Sequence, residues 1–120
     1  MDGNIPSDGE WTALVNYLGG NDVAGGKMKS TGTIEAGTGL WYSPNTGATN
    51  ETGFTGLPGG IRRYNDGYFF QHGDVGHFWS STQGSVPSAW SRRLNYGNAV
   101  LYRYSDYNRN SGFSVRCLKD

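Results

Sequence analysis

The chain is poor in the residues from which catalytic and metal-binding sites are usually built. It holds one cysteine, Cys117, and two histidines, His72 and His77, in 120 residues. One cysteine excludes an internal disulfide and a thiolate-ligated zinc centre. With Val115 and Leu118 as flanks, Cys117 is expected to be a buried small hydrophobe rather than a reactive thiol. No run is apolar over the roughly 18 residues that a membrane-spanning helix needs. The N-terminus shows no signal-peptide pattern, and no membrane insertion is expected. Formal net charge is zero, with ten basic and ten acidic side chains, which argues against a non-specific nucleic-acid binder and a polybasic membrane anchor. Apolar residues make up only 35% and glycine occurs twenty times, so many turns, short strands and few long helices are expected.

What is abundant is aromatic. Four Trp, eight Tyr and five Phe argue against disorder and for a core built on a few large side chains. At this length residues 1–120 form one domain. The charge is uneven: residues 1–60 carry two Lys against six acids, and residues 61–120 carry eight basic residues against four acids. Several arginines alternate along expected strands, a pattern read as structural pairing, with a basic ligand face as the alternative. The densest signal lies at 95–111, where four Asn, four Tyr, two Ser, one Asp and two Arg share seventeen residues. Tyr supplies large contact area at low entropy cost, and Asn, Ser and Gly supply adaptable hydrogen bonds, which is the composition of a recognition surface.

Ser7-Asp8-Gly9-Glu10 reads as a capping box, followed by Trp11, Leu14, Val15 and Leu18 on one helical face and a Gly19-Gly20 stop. A poorer helix is expected over about Asp22–Ser30, weakened by Gly25-Gly26. Residues 31–60 read as a long looped segment anchored by Trp41, Phe54 and Leu57, with a sequon at Asn50-Glu51-Thr52. From Ile61 the period becomes two. Arg62–Tyr64 and Tyr68–Gln71 flank Asn65-Asp66-Gly67, a type I′ hairpin signal. Further strands are expected at His77–Thr82, Ser88–Asn95, Ala99–Tyr104 and Gly112–Lys119. The class is α+β: two N-terminal helices, a long looped segment, then a twisted antiparallel sheet of about five short strands.

Several strings resemble the Fibrobacter succinogenes major paralogous domain, a bacterial family related to the C-type-lectin-like fold. They are Ile5–Trp11, Leu18–Gly20, Ala24–Lys29, Ala48–Phe54, Leu57–Arg62, Phe78–Thr82, Ala89-Trp90 with Arg92 and Leu94, and the ending Gly112–Cys117. The resemblance spans nearly the whole chain. It implies a compact domain with adjacent chain ends and an extracellular or cell-surface location, or a phage virion, as part of a larger protein. It implies no catalytic constellation. Family members commonly carry a Cys before the segment matching Ile5-Pro6, facing the Cys117 position; Met1–Asn4 stands there instead, so either the bridge is missing or the chain is trimmed.

Related domains are targets of diversity-generating retroelements, which vary adenine-containing codons. The Asn/Tyr/Ser/Asp enrichment of 91–111 looks like such a variable segment before a fixed ending. If Trp90, Arg92 and Leu94 face the scaffold, as the family strings imply, Ser91, Arg93 and Asn95 face outward; Tyr96 and Asn98 belong to the following turn. With Leu101 and Arg103 inward, Tyr102 and Tyr104 point out, and Asp106, Tyr107, Asn108 and Asn110 form the next loop. These eleven residues are the candidate site for a protein or carbohydrate ligand on a cell surface, with no cofactor and no resident metal.

Three rivals stand beside that reading. Calcium-dependent sugar binding lacks its usual Glu/Gln-Pro-acid/amide triplets, which leaves calcium only a structural role on backbone carbonyls. Formylglycine-generating enzymes share a related fold but use two active-site cysteines. His72, Asp74 and His77 are read as turn and surface residues that bind metal only adventitiously. Gly53, Gly56, Gly59 and Gly60 lack the Lys-Ser/Thr of a phosphate loop. The third rival is a spacer module of a multidomain surface protein, in which the polar segment satisfies itself rather than a ligand.

Overall fold

The computed structural model of the protein describes residues 3–84, 88–105, 111–116 and 118–119. Its first helix forms where the capping pattern places it. Glu10 N donates to Ser7 Oγ at 3.1 Å and Ser7 N donates to Glu10 Oε1 at 2.9 Å. Helix α1 (Asp8–Tyr17) then turns Trp11 and Val15 inward, with Leu18 at its C-cap. Gly19 and Gly20, both at positive φ, reverse the chain into α2 (Asn21–Met28). The Gly25-Gly26 pair weakens α2 as an isolated helix but allows it to dock. A Cβ on Gly25 would sit 2.4 Å from Val100 O, and one on Gly26 would sit 2.4 Å from Gly47 O. Gly26 N donates instead to Ala99 O at 3.0 Å. Gly26→Ala is therefore expected to lose about 1–3 kcal/mol in a denaturant melt, despite alanine's better helix propensity. A more stable variant would show that this backbone approach constrains nothing.

The chain ends pair with each other: β1 (Gly3–Asn4) runs antiparallel to β7 (Leu118–Lys119). A short hairpin joins β2 (Ile61–Arg62) to β3 (Phe69–Phe70). The main antiparallel sheet has the order β4 (Val75–Gln83), β5 (Ala89–Asn95), β6 (Leu101–Tyr104). The α+β class and the two helices are as expected.

The last expected strand differs, because Gly112–Lys119 does not form one continuous ladder. Gly112 bridges Arg62 and Ser114 bridges Phe78, so this segment stitches the hairpin to β4 before β7 begins. The hairpin turn also differs from type I′. Arg63 N donates to Tyr68 O and Gly67 N to Arg63 O, enclosing a four-residue loop that ends on Gly67 at φ +73°. Asp66 stabilises this longer loop by accepting from Tyr68 N and pairing with Arg63.

Register assigns the two faces of the sheet. Phe78, Arg92 and Arg103 lie side by side, as do Gly76, Leu94 and Leu101, and this face meets the helices. The core comprises Trp11, Val15, Leu18, Ala24, Met28, Trp41, Phe78, Leu94 and Leu101, with Leu14 and Phe54 packed against it. Trp11, Phe54 and Phe78 form a tilted aromatic triad with centroids 5.3–6.2 Å apart. Trp41 is fully buried and donates from Nε1 to Gly56 O at 3.1 Å. Leu57, expected as a third anchor, is 46% exposed. Its carbonyl, rather than its side chain, packs on β4: a Cβ on Gly76 would lie 2.4 Å from Leu57 O. Among the described residues no helix is long and apolar enough to cross a membrane.

Candidate functional site

The face that meets the helices is fastened by charge. Asp8, in the first turn of α1, accepts from Arg92 Nη2 at 2.9 Å and from Arg103 Nη2 at 2.6 Å. Arg92 Nη2 also donates to Asp8 O and to Thr12 Oγ1, while the Arg103 guanidinium lies 3.7 Å over the Trp90 ring. The alternating arginines at 92 and 103 are thus structural. They tie α1 to adjacent strands across more than eighty residues of sequence.

The opposite face carries the candidate recognition residues. Here the register aligns His77 with Arg93 and Tyr102, and Trp79 with Ser91 and Tyr104. Arg93 is the centre of the arrangement. Its guanidinium carbon lies 5.0 Å from the Tyr102 ring centroid and 4.9 Å from that of Tyr104, and the two rings stack at 6.1 Å. Among the described residues no carboxylate pairs with Arg93 and its Nε–H finds no hydrogen-bond partner. On the β4 side, Phe113 stacks on both His77 and Trp79, with centroids at 4.4 and 4.2 Å.

This packing corrects two expectations. Ser91, expected to face a ligand, is completely buried, because a serine between the register neighbours Trp79 and Tyr104 is overshadowed by both. His77, expected at the surface, is completely buried as well. Burial first, and the nearby Arg93 charge second, push its pKa down to about 3, so it is neutral at physiological pH. Among the described residues no three His, Cys, Asp or Glu side chains gather as a metal site.

The turn after β5 is held from beneath by a residue that the sequence reading did not single out. Lys29, completely buried just past α2, donates from Nζ to Thr46 O at 2.8 Å, Asn95 O at 2.9 Å and Asn98 O at 3.0 Å. It also lies 5.5 Å over the Trp41 ring. Burial pushes its pKa down to about 8, and it remains an ammonium at neutral pH. The contributions of Asn95 and Asn98 are therefore partly backbone: their carbonyls cage a cation. Asn98 also orders the face above, donating from Nδ2 to Tyr102 Oη at 3.0 Å and accepting at Oδ1 from Val100 N. Tyr96, 38% exposed, stands at the tip of the turn. Nothing in the sequence near Lys29 marks it, since its partners lie 17 to 69 residues away.

The structure thus brings Arg93, Tyr102 and Tyr104 together on one face, sets Asn95, Tyr96 and Asn98 at its end, and removes Ser91 from contact. Asp106, Tyr107, Asn108 and Asn110 lie outside the described residues, as does Cys117. A second exposed aromatic group occupies the hairpin: Tyr64, Tyr68 and Phe69 are each more than half exposed. Arg63 lies 5.1 Å over Tyr68, and Arg62 lies 5.7 Å over Phe69. A cleft of about 270 Å³ between this hairpin and Gly112–Ser114 reaches Phe113, which joins the hairpin to the aromatic row on the sheet. At the sequon, the Asn50 side chain is engaged within its own loop, accepting from Thr55 N at 2.8 Å and donating to Thr55 Oγ1 at 3.0 Å.

No curated protein and no solved structure matches the chain. One family model does, over residues 3–119, from the first described strand to the last. The chain belongs to the Fibrobacter succinogenes major domain family.

Proposed function

We propose that this is a non-enzymatic ligand-recognition domain with a C-type-lectin-like fold, from a bacterial surface protein or a phage receptor-binding protein. Its ligand would be a protein or a carbohydrate. The observation that carries the reading is the Tyr102–Arg93–Tyr104 stack, in which a cation with no carboxylate partner among the described residues is held by ring faces on a sheet. Ring faces of this kind pack on sugar rings and fill protein pockets, and Arg supplies directed donors beside them. The paired chain ends, two helices and long looped segment support the C-type-lectin-like reading. Retroelement diversification rests on the Asn- and Tyr-rich composition of 91–111. A near-copy of those codons beside a reverse-transcriptase gene, differing only at adenines, would establish it.

The mechanism is display. The core and the Asp8 cluster hold the sheet, and the side chains on its far face vary without unfolding it. The wild-type chain, applied to a glycan array and a panel of intact bacterial cells, is expected to bind a restricted set. Tyr102→Ala and Tyr104→Ala should each weaken that binding at least tenfold while costing about 1 kcal/mol or less in stability; Trp41→Ala should cost about 3–5 kcal/mol. Equal melts for the tyrosine and tryptophan variants, or unchanged binding in both tyrosine variants, would overturn the division between scaffold and recognition face. One observation favours the spacer reading instead. Asn98, Tyr102, Arg93 and Tyr104 partly satisfy one another, and a spacer predicts that the array and the cells retain nothing.

A further inference from the structure

The helix-facing side of the sheet holds a cavity of about 300 Å³ lined by Thr12, Val15, Asn16, Asn21, Arg92 and Arg103. It lies between α1, the start of α2 and the arginine cluster, on the other face from Tyr102 and Tyr104. Two guanidinium cations meet one carboxylate there, so the cluster keeps one net positive charge. Arg92, almost fully buried, commits Nη2 to Asp8 and Thr12, so it brings charge to the cavity wall rather than a reachable donor. Arg103 faces Asp8 with Nε and Nη2. Among the described residues no acidic side chain lines the cavity, and Asn16 and Asn21 add carboxamides that both donate and accept. Thr12 Oγ1 accepts from Arg92, which directs its own hydroxyl proton elsewhere.

We propose that this cavity is a binding site for a sugar acid: one pyranose ring carrying a single carboxylate. Three features select that class. The volume lies at the small end of the ~300–1,000 Å³ usual for small-molecule sites, enough for one ring and not for an oligosaccharide. The surplus of one positive charge matches a monoanion, whereas a phosphate dianion would leave a net negative charge beside the Asp8 carboxylate. The hydroxyl and carboxamide lining matches ring hydroxyls, and Val15 offers an apolar surface to the ring's C–H face.

The test is calorimetric titration of the whole chain with D-glucuronate and D-galacturonate, with glucose, galactose and inorganic phosphate as comparators at constant ionic strength. A uronate is expected to bind saturably and at least tenfold more tightly than its neutral parent and than phosphate. Asn21→Asp places a carboxylate at the cavity wall. It should weaken uronate binding at least tenfold without lowering Tm, because an acid in the first turn of α2 suits the helix dipole. Absence of uronate binding, parity with the neutral sugar, parity with phosphate, or full binding by Asn21→Asp would each overturn the assignment.

Discussion

Replacing Asp8 with alanine is expected to lower the unfolding free energy by about 3–5 kcal/mol at pH 7, the range for removing one partner of a buried ion pair. The cost comes from what stays behind. Arg92 cannot reach water from its buried position, and Arg103 loses the carboxylate that holds it against Trp90. Asp8 N also donates to Thr82 Oγ1 at 2.9 Å, so the start of α1 remains tied to β4 and the loss can be assigned to the carboxylate. Burial alone would raise the Asp8 pKa, but hydrogen bonds from Arg103 and Arg92, together with their charges, outweigh it and hold the pKa below its ordinary 3.8. Since the folded value is the lower one, this contribution is complete above an unfolded pKa of ~3.9 and is lost as pH falls through the folded value. The stability gap between the wild type and Asp8→Ala should therefore narrow as pH falls through the folded pKa and be widest above the unfolded one. A gap below about 1 kcal/mol at pH 7 would show that the cluster is held by packing instead. Asp8→Ala combined with Arg103→Ala should be less than additive, because the two residues share one interaction.

The elements that the sequence displays are those whose determinants lie close together in it. The α1 capping box needs four consecutive residues, and the helix stripe from Trp11 to Leu18 lies within eight, so both are legible. The alternation of Trp90, Arg92 and Leu94 likewise placed Arg92 and Leu94 on the inner face. Where the reading fails, a distant partner decides. Ser91 alternates correctly to the outer face but is overshadowed by Trp79 and Tyr104, a burial that depends on strand register rather than strand pattern. Gly25-Gly26 looks like a helix defect until Val100 and Gly47 are brought against it. Leu57 follows the composition of a core anchor, yet its backbone takes that place. The exposed hairpin aromatics are the opposite case: Tyr68 and Phe69 read as ordinary strand residues, and only the edge position of the hairpin leaves them in solvent.

The second large effect is expected at Lys29, where Lys29→Met should cost about 3 kcal/mol near pH 7. Methionine nearly matches the volume of lysine, so the change is chiefly the loss of an ammonium. Two terms oppose each other. Removing a buried cation relieves its desolvation; a shift from 10.5 to about 8 corresponds to roughly 3 kcal/mol. Against that, the carbonyls of Thr46, Asn95 and Asn98 lose their common donor, at about 1–3 kcal/mol for each buried group left unsatisfied. Three such groups outweigh one relieved charge. The pH dependence separates the terms. Between pH 8 and 10.5 the unfolded lysine still binds its proton and the folded one has released it, so wild-type stability should rise across that window. Methionine has no such slope, and the gap between the two proteins should widen with pH. A constant gap would mean that the three carbonyls keep the proton on Lys29 as firmly as water does. The structural consequence reaches the recognition face. Thr46 N donates to Tyr96 O, and Tyr96 N to Asp74 O, across the turn that Lys29 secures. In Lys29→Met these amides should exchange faster than those of α1, which Lys29 does not touch. Equal protection in both proteins would place the order of Tyr96 and Asn98 in the strands alone and remove Lys29 from the support of the face.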